Sequence, residues 1–344
     1  MSNRPICDVD TPDPWVVAAN GRFYLTFTLD NRIEIWSSPT LEDFGSCAKS
    51  IIWQPAAGSA WSANIWAPEL HYLAGRWYVY TCGAPPEEGN AGHRTTVLRC
   101  AAGQNDPMVA ADWEFLGPVR GMPADQWAID ATVFSPDGGG RELYCCWSGW
   151  PPGDRSDTQQ DLFLIRMRSP EEAAPETLVC ISQARLPWER PDGGRRGVNE
   201  GPTWLDVAGV FRGIVYSAHG SWTSEYRLAL LALVGPDPLD PAAWVKRPTP
   251  LLVSHRECPG PYGPGHASFL PNPLNHQSVY CIYHATAEYG QGWANRKARV
   301  LELGAACFGP HATEICCSGQ GHGGRHHHPG VVSGRRTRDS CTVQ

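Results

Sequence analysis

The sequence predicts an all-β protein, a five-bladed β-propeller, and three observations carry that prediction. The first is a recurring motif in which a polar acid-base side chain stands just ahead of a short strand that leads into an aromatic-rich second strand. The five residues are Asp13, Glu69, Asp130, Glu200 and His266, at steps of 56, 61, 70 and 66 positions (69−13, 130−69, 200−130, 266−200). A quasi-regular period of strand pairs marks a radial repeat. The second is composition: 36 Gly, 31 Pro, 15 Trp and 11 Tyr in 344 residues, with only 18% charged, describe turn-rich, aromatic strand sequence. The third is the lack of any sustained helical period.

The elements follow in order. Unit one reads D-P-W-V-V from Asp13, then GRFYLTFT (21–28) and IEIWSSP (33–39). Unit two runs from Glu69 through GRWYVYTC (75–82) and TTVLRCA (95–101) to an outer strand at 112–119. Unit three has A-T-V-F after Asp130, RELYCCWSGW (141–150), DLFLIRMRSP (161–170) and an outer strand at 176–183. Unit four has G-P-T-W-L after Glu200, FRGIVYSAHGSW (211–222), YRLALLALVG (226–235) and 243–253. Unit five has A-S-F-L after His266, SVYCIYHAT (278–286) and RKARVLEL (296–303). Apolar-polar alternation assigns these runs to strands, and SPDGGGR or ECPGPYGPG between them to turns.

Residues 1–304 therefore read as one propeller domain, and 305–344 as a low-complexity, disordered or aberrant tail rich in Gly, His and Arg. Unit five then lacks an outer strand, which predicts an unpaired edge. Cys316, Cys317, His322 and His326 to His328 lie in this tail without a recognised zinc-ligand spacing.

Net charge is −7, and no basic cluster precedes the extreme C-terminus, which argues against a nucleic-acid partner. No apolar stretch approaches the ~20 residues that span a bilayer. The N-terminus shows no apolar signal core, so the chain as written reads as cytoplasmic, or as secreted if that end is incomplete. The 13 cysteines are odd in number and lack C-x-x-C spacing. They read as a mostly reduced set, with Cys82, Cys145 and Cys281 serving as small apolar residues in strands. A monomer is expected.

Taken singly, Asp13 suits an Asp-Pro turn, Asp130 a backbone contact and Glu200 a loop cap. Three carboxyls at matching places in three repeats would repel one another at one mouth of a ring. So costly a cluster points to function.

The motifs D-P-W-V-V, W-A-P-E, A-I-D-A-T-V-F, N-E-G-P and Y-G-P-G-H, in that order and in phase with the repeats, resemble glycoside hydrolase family 43 from about Asp8 to Leu303. Flanking text such as I-E-I-W-S-S-P and D-P-L-D-P-A-A-W is most similar to its α-L-arabinofuranosidase branch. The resemblance implies an inverting, exo-acting hydrolase that removes terminal arabinofuranosyl units from arabinan or arabinoxylan. It implies Asp13 as general base, Glu200 as general acid and Asp130 as the carboxyl that orients the acid. It further implies Trp66 stacking on sugar, Glu69 lining the pocket as a supporting group, and Arg296, in preference to Arg299, contacting substrate. His266 would lie near the axis and bind a water or a hydrated cation such as Ca²⁺; no cofactor is required. β-Xylosidase or endo-arabinanase activity remains open on this scaffold, as does a non-catalytic carbohydrate-binding propeller.

Overall fold

The computed structural model describes residues 3–318, and these form β-strands joined by turns and short 3-10 segments. The strands group into five antiparallel units. Unit one comprises β1 (Trp15–Ala19), β2 (Arg22–Thr26), β3 (Ile33–Ser38) and β4 (Ala48–Trp53). The sequence did not reveal β4, because only one of its six side chains is buried and they carry no apolar alternation. Unit two comprises β5 (Ala63–Leu73), β6 (Arg76–Ala84), β7 (Arg94–Cys100) and β8 (Trp113–Pro118).

Unit three comprises β9 (Ala128–Phe134), β10 (Leu143–Gly149) and β11 (Gln159–Ser169), edged by β12 (Glu172–Ala173) and β13 (Val179–Ser182). Unit four comprises β14 (Gly197–Val207), β15 (Phe211–Ala218) and β16 (Arg227–Leu233), edged by β17 (Trp244–Lys246) and β18 (Leu252–Val253). Unit five comprises β19 (Tyr262–Pro271), β20 (Ser278–Thr286) and β21 (Lys297–Gly304). A two-residue parallel pairing of β11 with β14 links units three and four. No helix among the described residues is long and apolar enough to cross a membrane.

The core lies between sheets, because the inner strands bury side chains on both faces. Five apolar clusters fill five interfaces. Ile35 and Ile52 meet Leu70 and Val79 between units one and two, and Tyr80 and Val97 meet Val133 and Trp147 between two and three. Leu162 and Leu164 meet Ile214 and Leu231 between three and four, and Val215 and Leu230 meet Cys281 and Tyr283 between four and five. The last joins the ends of the series: Val16, Leu25 and Phe27 of unit one pack on Leu270, Ile282 and Val300 of unit five. Cys82, Cys145 and Cys281 are fully buried in these strands.

Two expectations about the chain ends need correction. The outer edge of unit five is covered by the N-terminal segment: Ile6 N–H donates to Ala298 O at 2.9 Å, Thr11 N–H to Arg296 O at 2.9 Å, and Ala298 N–H to Thr11 Oγ1 at 2.7 Å. Nor does structure stop at Gly304. Residues 305–308 form a 3-10 turn, and β22 (Ile315–Cys316) pairs in parallel with β18. Phe308 and Cys317 enter the cluster between units four and five at 2% and 0% exposure. Burying one such Phe stabilises the fold by roughly 2–3 kcal/mol, which outweighs the low-complexity signal around it. The remaining tail, with His322 and His326 to His328, lies outside the described residues.

One local distortion recurs and positions the site. At a matching place on each of the five inner strands, or immediately before it, a residue adopts a left-handed backbone: Asp13 (φ 56°), Ala67 (46°), Asp130 (56°), Gly201 (54°) and His266 (48°). In units two to five this residue and its successor oppose a single residue of the second strand, namely Thr81, Trp147, Tyr216 and Tyr283, where the registers shift. This is a β-bulge, which re-aims a side chain at the cost of a ladder bond. Neighbouring units replace the lost bonds. Ala67 N–H donates to Thr28 Oγ1 (2.7 Å), Gly201 N–H to Asp130 Oδ2 (3.1 Å), His266 N–H to Ser217 Oγ (2.7 Å), and Asp13 N–H to His284 Nδ1 (3.0 Å).

Candidate active site

The bulges face one cavity of about 980 Å³. Asp13, Asp130 and His266, from the left-handed positions, line it together with Pro12, Trp66, Ile129 and Glu200, which stand one residue earlier in their units. Two adjacent positions on the inner strands thus supply both carboxylate sets.

Asp13 is fastened on both oxygens. Its Oδ2 accepts the Thr28 hydroxyl at 2.7 Å; its Oδ1 lies 3.3 Å from His266 Nδ1 and 3.7 Å from Arg296 Nη1. Burial pushes this carboxyl up, but His266, Arg296, His284 and the Thr28 hydroxyl outweigh it and hold it at about 2. Burial also pushes both imidazoles below their ordinary value. Neutral at pH 7, they leave Arg296 as the lasting cation beside Asp13. His284 accepts the Asp13 N–H through Nδ1, so its proton sits on Nε2 and the ring fixes backbone rather than charge.

The other side of the cavity favours protons. Burial pushes the Glu200 carboxyl from 4.5 to about 7, with the Asp13 charge adding to the rise and Tyr226, Arg296 and Gln160 pulling against it. Asp130 is pushed well up by burial and by the charges of Glu200 and Asp13, although Gly201 N–H donates to it. The two carboxyls influence each other's titration, and burial pushes both toward their protonated forms. Tyr226 is stacked on His284 with centroids 5.7 Å apart. It can lie there because residue 265 is glycine: a Cβ at that position would sit 2.0 Å from the Tyr226 ring.

Of the residues singled out in the sequence, Asp13, Asp130, Glu200, His266, Trp66 and Arg296 line this cavity. Trp66 is held by an indole N–H bond to Asp30 Oδ1 (2.8 Å) and by stacking on His93 (4.1 Å). Arg296 rather than Arg299 reaches the site; Arg299 donates to Asn3 O at 2.8 Å behind β21. Glu69 is a correction. It lies two residues past the bulge of its strand, is 2% exposed, and meets His71 Nε2 at 2.8 Å inside the protein instead of lining the pocket. Burial pushes Glu69 well up and His71 down to about 3, so they form a neutral pair, the carboxyl donating to the ring.

Tyr226, His284, Thr28, Trp222 and Trp293 belong to the surroundings of the site and were not foreseen. Among the described residues no three His, Cys, Asp or Glu side chains gather as a metal-ligand set, and Asp13 stands at His266 Nδ1. The donors do not fit a cation held directly by protein.

A low-titrating and a high-titrating carboxyl lining one cavity suit the acid-base chemistry of a glycosidase. The chain belongs to glycosyl hydrolases family 43, whose family model matches residues 2–303. A Streptomyces chartreusis protein named extracellular exo-α-(1→5)-L-arabinofuranosidase is 33% identical over 271 residues, 77% of this chain and 76% of that one. The Humicola insolens α-L-arabinofuranosidase 43 is 32% identical over 277 residues, but the match spans only 54% of its length. A solved Lactobacillus brevis α-L-arabinofuranosidase aligns with TM-score 0.73 at 29% identity, over 85% of this chain and 90% of that one.

Proposed function

We propose that this family 43 glycosidase is an exo-acting, inverting α-L-arabinofuranosidase whose five sheets are the blades of a five-bladed β-propeller. The ring reading is supported by the fifth apolar interface, between units five and one. The observation that carries the catalytic reading is that Asp13 and Glu200 line one cavity in opposite surroundings: cations and a hydroxyl hold Asp13 at about 2, while burial raises Glu200 to about 7.

Asp13, ionised, takes a proton from a water that attacks the anomeric carbon from the face opposite the leaving group. Glu200 passes its proton to the departing glycosidic oxygen. One C–O bond forms, one breaks, and the sugar leaves as the inverted hemiacetal, with Asp13 protonated and Glu200 ionised until they exchange with solvent. Such a pair stands ~6.5–9.5 Å apart to admit the water. Asp130 accepts the N–H of Gly201, the residue next to Glu200, and so helps to orient the acid. The reaction balances on carboxyls and water, and no step runs through a cation. Arabinan and arabinoxylan side chains are the assigned substrates, and the extracellular relatives favour action outside the cell over the cytoplasmic reading of the N-terminus.

Incubation with linear α-1,5-arabino-oligosaccharides should release arabinose alone. A ladder of internal cleavage products, or faster hydrolysis of an aryl β-D-xyloside than of the matching arabinofuranoside, would overturn the assignment.

A further inference from the structure

The cavity extends beyond the carboxyls to a pair of tryptophans. Trp222 follows β15, Trp293 precedes β21, and both line the cavity that holds Asp13 and Glu200. Their rings meet edge-on, centroids 6.2 Å apart at 74°. Trp293 is 61% exposed, an unusual state for an indole that could pack into a core.

Several contacts hold this pair in place. The Arg196 guanidinium sits 5.2 Å over the Trp222 ring and is itself tied to Asp157 Oδ1 at 2.8 Å. The Trp293 indole N–H donates to Ser221 Oγ at 3.1 Å. Trp222 folds back over Gly220 so closely that a Cβ there would come within 2.6 Å of its ring. The Trp293 carbonyl accepts Arg296 Nε at 3.1 Å, and the same guanidinium reaches Asp13. The aromatic wall is therefore mechanically joined to the catalytic base.

Its side of the cavity is informative. Glu200 is carried by β14 of unit four, and the loops that bear Trp222 and Trp293 belong to units four and five and line the same cavity. Trp66 and Trp127, by contrast, come from units two and three. An indole face offers the C–H-rich face of a sugar a rigid apolar surface, while Asp157, Arg196 and Ser221 offer polar atoms at its rim.

We propose that Trp222 and Trp293 form the platform for the sugar on the leaving-group side, a second neutral arabinofuranosyl unit of an oligosaccharide. The proposal rests on the arabinofuranosidase reading and adds the residues that select a chain end over a simple glycoside.

The test compares kcat/KM for α-1,5-arabinobiose and for methyl α-L-arabinofuranoside, which lacks the second ring, in wild type and in Trp293→Ala, Trp222→Ala and Trp293→Phe. Trp293→Ala should lose about tenfold on arabinobiose, at least fivefold more than on the methyl glycoside and mainly through KM, with Trp293→Phe recovering most of it. Trp222→Ala should shift the same ratio in the same direction. Equal losses on both substrates, or no loss on either, would overturn the platform while wild-type activity leaves the arabinofuranosidase reading intact. A wild type inactive on both arabinosides would instead overturn that reading and, with it, the identity of the sugar.

Discussion

Replacing Glu200 by Gln removes a titration without removing a side chain of that shape, and the consequence for stability can be worked out. In the folded protein the carboxyl is raised from 4.5 to about 7. The native state then holds this proton more tightly than the unfolded chain does. The stabilisation is full below pH 4.5, declines as pH rises, and is gone above about 7. The span of the rise corresponds to about 3 kcal/mol between pH 4 and pH 8. A fold of this length unfolds with roughly 0.7 kcal/mol per kelvin of entropy, so the shift amounts to about 5 °C in Tm. Gln cannot ionise, and the variant should escape the loss. Melting curves of both proteins at pH 4, 6 and 8 should show Glu200→Gln gaining on wild type by about 5 °C as pH rises. A gap that stays constant with pH would mean that Glu200 titrates alike in folded and unfolded chains. The reasoning that makes it the acid would then fail.

Other consequences can be measured alongside. Asp13→Asn should lower kcat by about 10³-fold on every arabinofuranoside, because a general base is lost; a variant as fast as wild type would remove Asp13 from the mechanism. Glu200→Ala should lose far less on an aryl glycoside with a good leaving group than on an alkyl one, since the former needs little protonation; equal losses would deny it the acid role. Arg296→Met takes away the lasting cation that helps hold Asp13 near 2, so the acid limb of kcat/KM should move to higher pH, while an unmoved limb would leave Arg296 without influence on the base. Phe308→Ala should destabilise the protein by about 3 kcal/mol, read as a fall of roughly 5 °C in Tm; an unchanged Tm would mean that the segment after Gly304 is not packed.

Much of the architecture was legible because it is periodic: strand pairs recur, and Asp13, Asp130 and His266 fall at matching left-handed positions. Sequence spacing could not resolve the offset within a unit. Glu69 fits the period of acidic residues, yet the equivalent position on its strand is Ala67, whose methyl group presents nothing to the cavity. Glu200 succeeds from the position just ahead of the bulge. A signal was present in Pro14, Pro68 and Pro202, each following a left-handed residue, because a proline inside a strand is confined to edges and bulges. The surroundings of the carboxyls were hidden for another reason. His284 meets Asp13 across 271 positions of chain, and Tyr226 reaches the site because Gly265 leaves it room. Such contacts belong to the packing of units against one another and leave no local pattern. The packing of Phe308 and Cys317 was masked by the Gly-, His- and Arg-rich sequence that follows them.

The most direct trial of the account is the configuration of the first sugar released, followed by proton NMR in the opening minutes of hydrolysis of an α-L-arabinofuranoside, before the anomers equilibrate. A water activated by Asp13 opposite the oxygen protonated by Glu200 must yield the β-anomer first. Initial appearance of the α-anomer would mean attack from the same face through a covalent intermediate, and the assignment of Asp13 as a base acting on water would be wrong.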